Sequence, residues 1–270
     1  MEESRKRKAM TKQSTFILFV SLMTLIFFTS AAHAEWFFGI GTGLSLMNVD
    51  GEQGFNTELV GPVKYDVELN PKDFNDLTKS AFGFGGYATD GTWLIQYSYA
   101  NLELEDKASE FLPAYNSTST VKINFKISGA ELTVGYPVYK TSSLVALVDA
   151  GVRYTKHEFD GKLRVSGDVT AQRDRDFDHD WTDAIVGVSI NVPFAQKWTW
   201  NNRFNAGFGG SEGTYFVSTG LTWRFHKNWS TGIVAKYTAI EYENGSKGDR
   251  NWYLYDADES SIGLNVLFNW

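Results

Sequence analysis

The densest set of side chains that could do chemistry is the segment Arg173-Asp-Arg-Asp-Phe-Asp-His-Asp180, which leads into Asp183. A carboxylate next to a histidine can activate a water molecule for hydrolysis, provided that a second acidic pair faces it from another loop. Asp256, Asp258 and Glu259 could supply that pair, but no protease motif accompanies them. Hydrolysis therefore stays open as an alternative, and no catalytic residue is predicted.

Every second residue of this segment is an aspartate, and carboxylate oxygens are ligands that Ca²⁺ prefers. The glycine and the terminal glutamate of a calcium-binding hand are missing. Solvated charge on a loop is the simpler interpretation, so neither a metal nor a cofactor is predicted. His157 has no second histidine near it in sequence and is interpreted as a polar rim residue.

A second set of charged residues lies opposite rows of apolar residues in alternating segments. Both signs of charge occur on neighbouring segments, which favours mutual pairing in the interior of a narrow barrel. A small solute channel is the alternative. The predicted lumen residues are Glu131, Asp149, Arg153, Asp183, Asn201, Arg203, Arg224 and Lys236.

Strands must position these residues, because apolar and small or polar residues alternate with a period of two over most of the chain. Asp90-Gly91 is a strong hairpin signal, and a change of parity near Ser128-Gly129 predicts a β-bulge. Eight or twelve strands are possible, but ten are predicted. They cover residues 36–48, 80–89, 92–103, 120–136, 143–157, 181–192, 198–209, 214–225, 229–242 and 261–270.

The C-terminal segment has the clearest alternation. An apolar face opposite a small or polar face suits a wall between lipid and a polar interior, whereas a soluble barrel with an apolar ligand would need the reverse. Because no long apolar run follows residue 34, a membrane-spanning form must be a closed barrel. The terminal row, which we interpret as an assembly signal, is Ile262, Leu264, Val266, Phe268 and Trp270.

The N-terminal residues have the features of a secretory signal peptide. A basic stretch, residues 5–8, precedes an apolar run over residues 16–28 and the site Ala32-His33-Ala34. We therefore expect a signal peptide at residues 1–34 and a barrel domain at residues 35–270. Removing the basic leader would make the net charge more negative than −7. An acidic chain is a poor partner for nucleic acid, and disulfides are excluded because there is no cysteine.

The connections alternate between short and long. With the C terminus in the periplasm, the short turns are also periplasmic. They lie at residues 90–91, 137–142, 193–197 and 226–228. The longer connections at residues 49–79, 104–119, 158–180 and 243–257 are then extracellular, as is the brief connection at residues 210–213; long outer loops are typical of transmembrane barrels. Within the first of these, residues 63–69 alternate like a strand, and residues 71–79 predict one or two helical turns after Asn70.

Three stretches of the C-terminal half carry a family resemblance: DHDWTDAIVGVSI from Asp178, then QKWTWNNRFNAGFGGSEGTYF, then KNWSTGIVAKYTAIEYENG. They resemble a large, poorly characterised family of proteobacterial outer-membrane β-barrel proteins, comparable in the broad sense to OmpA-like and opacity-like small barrels. Ala184 stands where the family pattern has proline. The resemblance implies an all-β, closed antiparallel barrel in the outer membrane and supplies no catalytic residues.

The same resemblance extends to the terminal row, whose final aromatic is read by the barrel assembly machinery in such proteins. The expected partners are therefore this machinery, outer-membrane lipid and lipopolysaccharide. The predicted function is an integral membrane protein with a structural, surface-interaction or minor-channel role. The alternatives are an outer-membrane protease or lipid-modifying enzyme with its site in the outer loops, and a passive diffusion channel.

Overall fold

The computed structural model describes residues 35–57 and 61–270. The predicted signal peptide lies outside the described residues. Within them, 11 strands form a single antiparallel sheet. The elements are β1 (Phe37–Thr57), β2 (Gly61–Leu69), α1 (Pro71–Leu77), β3 (Thr78–Thr89), β4 (Leu94–Leu112), a 3-10 turn (Pro113–Tyr115), β5 (Ser117–Lys140), β6 (Val145–Gly167), β7 (Ala171–Phe194), β8 (Trp198–Phe208), β9 (Gly213–His226), β10 (Trp229–Asn244) and β11 (Tyr253–Asn269).

The sheet closes into a barrel because its first and last strands pair with each other. The β1–β11 register runs without a break from Gly39↔Asn269 to Phe55↔Tyr253. The strands that follow each other around the ring are β1 and β3 to β11, whereas β2 pairs only with the second half of β1. The ring thus has the ten strands predicted from the sequence, and the closed antiparallel barrel is confirmed.

The two ends of the barrel differ. The short-turn end holds the start of β1, Trp270 and the tight turns, including the predicted turn at Asp90-Gly91, where Gly91 has a φ of 83°. The Asp90 carboxylate accepts hydrogen bonds there from the backbone N–H groups of Thr92 (2.9 Å) and Trp93 (2.6 Å). The opposite end, here called the long-strand end, carries the longer excursions.

Most of the chain at the long-strand end is strand, which corrects the predicted loops at residues 104–119 and 158–180. β4 continues to Leu112, β5 begins at Ser117, β6 continues to Gly167 and β7 begins at Ala171. These four strands pair with each other up to the tips of their hairpins, at Leu112↔Ser117 between β4 and β5 and at Val165↔Ala171 between β6 and β7. The excursions at this end are longer than those at the other end, as expected, and those of β4 to β7 form a continuous wall.

The apolar face of the wall changes sides part-way up the barrel. On β11, Leu264 is 65% exposed on the outer face, whereas Tyr253 and Tyr255 are buried in the interior. Towards the short-turn end, the lower part of the barrel, the outer surface is apolar, as contact with lipid requires. Towards the long-strand end, the upper part, the apolar side chains turn inward, as in a water-soluble protein. We call the lower region the apolar band.

The same reversal explains the change of parity in β5, where the predicted bulge is wrong. The register with β4 is unbroken through Ala100↔Gly129 and Asn101↔Ser128. The irregularity of β5 lies instead between Pro137 and Tyr139. A continuous strand crosses the upper edge of the apolar band at Ser128-Gly129, so its apolar residues, such as Phe125, lie on the inner face before this point, and those after it, such as Val134, lie on the outer face.

The predicted helix and strand within residues 49–79 are confirmed. Asn70 caps α1 by accepting hydrogen bonds from the backbone N–H groups of Lys72 (2.9 Å) and Asp73 (3.2 Å). The Asp73 carboxylate accepts in return from the Asn70 N–H at 3.0 Å, which completes a capping box. The helix thereby places Phe74 in the apolar core of the long-strand end.

No helix among the described residues is long and apolar enough to cross a membrane.

Candidate functional site

The predicted lumen charges on β5, β6 and β8 form one ion-pair network within the apolar band. Arg203 bridges two carboxylates, with Nη1 2.6 Å from Glu131 Oε1 and Nη2 2.9 Å from Asp149 Oδ1. Arg153 Nη2 lies 2.7 Å from the other oxygen of Glu131 and 2.9 Å from Asn205 Oδ1. These side chains are largely buried, and each carboxylate is compensated by an arginine, so this side of the interior is filled by mutual pairing.

Three other predicted lumen residues do not join this network. Asn201 donates to Thr222 Oγ1 at 2.9 Å along the wall. Arg224 is exposed near the short-turn end, where its Nη2 lies 3.4 Å from the Gln196 carbonyl oxygen. Lys236 is an exposed residue in the interior-facing register of β10, and it forms no ion pair among the described residues. The interior is therefore unevenly filled at this level.

Asp183 was predicted to line the lumen, but it anchors a turn. Its carboxylate is fully buried and accepts hydrogen bonds from the backbone N–H groups of Gly210 (3.0 Å) and Ser211 (2.7 Å). The hydroxyls of Ser211 and Thr214 also donate to it, at 2.9 and 3.0 Å. Asp183 therefore holds the tight β8–β9 connection low against β7.

Above the apolar band, an aromatic core fills the interior. His157 is fully buried at its centre, with ring contacts to Trp181 (5.0 Å) and Tyr255 (4.6 Å). Side chains from opposite walls of the barrel and from α1 join the same core. Its buried members are Val49, Phe74, Leu104, Trp181, Ile240, Tyr242, Tyr253, Tyr255 and Ala257. The core separates the lumen network from the open long-strand end.

A chain of hydrogen bonds fixes the state of His157. The Tyr65 hydroxyl donates to Gln53 Oε1 at 2.5 Å, and Gln53 Nε2 donates to the Tyr253 hydroxyl oxygen at 2.8 Å. The Tyr253 hydrogen is then free to donate to His157 Nδ1, 2.8 Å away. Burial, with a smaller contribution from His179, lowers the pKa of His157 to about 3, so the imidazole is neutral at physiological pH. The predicted rim position of His157 is wrong, because the core covers it.

The acidic segment at residues 173–180 belongs to strand β7 and not to a loop. Its aspartates share the outer face, while Arg175, Phe177 and His179 share the inner face. Consecutive residues of a strand point to opposite sides, so Asp178 and His179 cannot act together on one water. His179 instead stacks on Tyr253, with ring centroids 4.5 Å apart.

The residues that could have completed a catalytic or calcium site are also separated. Asp256 and Asp258 are on the outer face of β11, and Asp258 accepts a hydrogen bond from the Tyr237 hydroxyl at 2.7 Å. Glu259 is on the inner face and accepts from Tyr255 at 2.8 Å. Within residues 35–57 and 61–270, no group of three or more histidines and acidic residues is arranged to hold a metal ion.

A polar cleft opens at the long-strand end beside β7. It has a volume of about 610 Å³ and lies between residues 174–179 of β7 and the connection from β10 to β11. Arg175 Nη2 donates to the Asn56 carbonyl oxygen at 2.7 Å, which ties β7 to the tip of β1. Phe55, Arg250 and Trp252 also line this cleft, which was not predicted from the sequence. The alternation of Phe177, His179 and Trp181 with aspartates was the signal for a strand here.

Comparisons with known proteins give the fold. No protein-family model matches the chain, and no curated protein matches it. Its structure is similar to the outer-membrane protease OmpT from Escherichia coli, with a TM-score of 0.58, 8% identity and coverage of 88% of this chain and 97% of that chain.

Two other solved structures are similar at lower TM-scores. The translocator domain of the autotransporter NalP from Neisseria meningitidis has a TM-score of 0.47 at 9% identity, covering 94% of this chain and 96% of that chain. Ail, the attachment invasion locus protein of Yersinia pestis, has a TM-score of 0.37 at 12% identity, covering 87% and 99%. The similarity to OmpT gives the chain the fold of an outer-membrane β-barrel protein, as the family resemblance implied.

Proposed function

We propose that the chain is an integral outer-membrane barrel with a closed interior, and that its long-strand end is an interaction surface at the cell exterior. The observation that carries this proposal is the aromatic core around His157, which crosses the barrel above the apolar band. A core of this kind leaves no continuous aqueous path, whereas a diffusion channel needs one. The paired charges of Glu131, Arg153 and Arg203 narrow the lumen further.

The polarity of the outer surface supports the location. The apolar band suits lipid, and the predicted signal peptide would export the chain to the periplasm. The short-turn end would then face the periplasm and the charged long-strand end would face lipopolysaccharide. Assembly would depend on the barrel assembly machinery, which we expect to recognise the terminal row ending in Trp270.

The alternatives receive less support. The similar fold of a protease does not transfer its activity, because fold alone does not determine function. Asp178 and His179 point to opposite sides of β7, and the other candidate carboxylates lie elsewhere. For a minor channel, the one favourable observation is the exposed Lys236, but the aromatic core lies between it and the exterior.

Single-channel conductance of the refolded mature protein tests the closed interior. Heat-modifiable mobility on a gel first establishes that the barrel is folded. We expect the wild type to be silent and the double variant Trp181→Ala/Tyr253→Ala to conduct, because the variant removes the centre of the core. Trp223→Ala, which truncates an aromatic residue on the lipid-facing side, is the matched control and should stay silent. Stable conductance steps from the folded wild type would contradict the proposal.

A further inference from the structure

The wall of the barrel has a slot above the apolar band. β8 pairs with β7 only up to Ala184↔Phe208, so among the described residues β7 has no strand partner on that side from Ala171 to Asp183. On the other side of the slot, β9 pairs with β10 only up to Glu241↔Gly213. The slot exists because the β8–β9 hairpin is short and Asp183 holds its turn low. Backbone N–H and C=O groups along this edge of β7 are therefore open for pairing.

The polar cleft is the space beside this edge. Six consecutive residues of β7, 174–179, line it. Because neighbouring residues of a strand point to opposite faces, a cleft that touches all of them borders the backbone edge. The stacked rings of Trp181 and Tyr242 form its lower limit, with centroids 4.0 Å apart. The inner side offers the half-buried ring of Phe177 to a strand placed there.

The outer face beside the slot is acidic. On β7, within the part of the chain that the structure describes, Asp174 accepts a side-chain hydrogen bond only from Gln172, and Asp176 forms no ion pair. The neighbouring strand β6 adds Asp160 directly opposite Asp176, and Glu158 opposite Asp178. Lysines compensate this surface only in part. The ion pairs there are Lys126–Glu158, Lys156–Glu158, Lys156–Asp178 and Lys162–Asp160.

We propose that the free edge of β7 binds an extended peptide segment by strand addition, and that the segment carries basic residues at alternate positions. Its basic side chains would lie against the aspartates of the outer face, and its apolar side chains would lie over Phe177. Main-chain hydrogen bonds provide affinity in this mode and alternate side chains provide specificity. The inference rests on the proposed function, because it names the partner class of the surface assigned there.

The charges also disfavour pairing between the β7 edges of two copies of this chain. Two β7 edges paired with each other would bring aspartate next to aspartate across the new ladder, and like charges opposite each other are destabilising. A basic partner reverses the sign of the interaction, so the alternating aspartates select for it and against self-association.

The test uses a fluorescent peptide that alternates lysine and valine, and the refolded mature barrel in a zwitterionic detergent. Fluorescence polarisation should show saturable binding that weakens with salt. Hydrogen exchange should show that the peptide slows exchange of backbone amides between Ala171 and Trp181. The same peptide with methylated backbone nitrogens keeps its charge but cannot form the ladder, and it should not bind. A peptide of the same composition with its lysines in one block should also fail.

Barrel variants separate the edge from the general charge of the protein. The triple variant Asp174→Asn, Asp176→Asn and Asp178→Asn should weaken binding about tenfold, because it removes three exposed carboxylates that face the basic side chains of the peptide and each such pair contributes little. The control Asp106→Asn/Glu110→Gln removes exposed acidic charge from β4 and should leave binding unchanged.

Equal binding of the methylated peptide, or binding without slower exchange at β7, would overturn strand addition. Absence of binding to a folded barrel that is silent in bilayers would overturn this inference and leave the closed interior standing. A barrel that conducts but still binds the peptide would overturn the closed interior and leave strand addition standing.

Discussion

Trp181 on β7 and Tyr242 on β10 stack face to face, with ring centroids 4.0 Å apart and planes inclined by 15°, although their strands do not pair with each other. Two side chains thus bridge the wall where β8 and β9 are too short to fill it. The same contact closes the aromatic core from one side and limits the slot from the other. Several expected outcomes depend on this arrangement.

Trp181→Ala should lower the free energy of unfolding by about 3 kcal/mol or more, because it removes a large buried side chain and leaves a cavity. Urea unfolding in detergent, followed by tryptophan fluorescence, measures the change. Trp181→Phe should recover part of the loss, since it keeps a ring against Tyr242. Trp93→Ala, which truncates an exposed ring at the short-turn end, is the control. Equal stability of Trp181→Ala and wild type would argue against a packed core.

Arg203→Met should destabilise the barrel by about 3 kcal/mol, because it leaves the buried carboxylate of Asp149 without its cation. The double variant Arg203→Met/Asp149→Asn should be more stable than the single variant. It removes the uncompensated charge and leaves Glu131 paired with Arg153. Urea unfolding of both variants at neutral pH checks the order. A double variant less stable than the single would contradict the pairing within this network.

Acid should destabilise the long-strand end through His157. Its pKa is about 3 in the folded barrel, below the ordinary value of 6.5, so the unfolded chain binds a proton that the folded protein does not. The unfolding free energy should therefore fall as the pH falls from about 6.5 towards 3, by up to about 1.4 kcal/mol per pH unit. The pKa of His179 is also lowered by burial, in opposition to Asp178 and Asp180, and adds in the same direction.

Urea unfolding across this pH range compares the wild type with His157→Phe, which should have a shallower slope. His226→Phe alters an exposed histidine at the short-turn end and should retain the wild-type slope. An unchanged slope in His157→Phe would mean that other groups cause the acid sensitivity.

Deletion of Trp270 should prevent assembly in cells, leaving a misassembled protein that is degraded in the periplasm. Trp270 closes the barrel at the short-turn end: its ring stacks on Phe38 at 5.7 Å, and the two backbones exchange hydrogen bonds of 2.9 and 3.0 Å. Heat-modifiable mobility of membrane fractions reports assembly. Trp229→Ala removes an aromatic residue that also contacts Phe268 and should still assemble. Normal insertion without Trp270 would contradict its role as an assembly signal.

Local alternation and capping were sufficient to predict most of the elements. The terminal row, the Asp90-Gly91 turn and the helix after Asn70 follow from residue order alone, since each depends on neighbours in the chain. Ten ring strands follow from the same alternation. The rim position predicted for His157 was wrong for a different reason. The strands that surround it are not visible in the sequence, where a lone histidine next to charged residues resembles a residue of the rim.

The level at which the alternation reverses could not be predicted, because a period of two shows that the two faces differ but not where the surroundings change from lipid to water. At Ser128-Gly129 the surroundings of β5 change between water and lipid, and its apolar face changes with them. This change of parity was interpreted as a bulge. Beyond that level, aspartates alternating with Phe177, His179 and Trp181 were interpreted as a loop. Residue order therefore determined the strands and the closed barrel. Only closure of the sheet decided that Arg203 meets Glu131 and Asp149, and that Trp181 meets Tyr242, because these contacts join strands far apart in the chain.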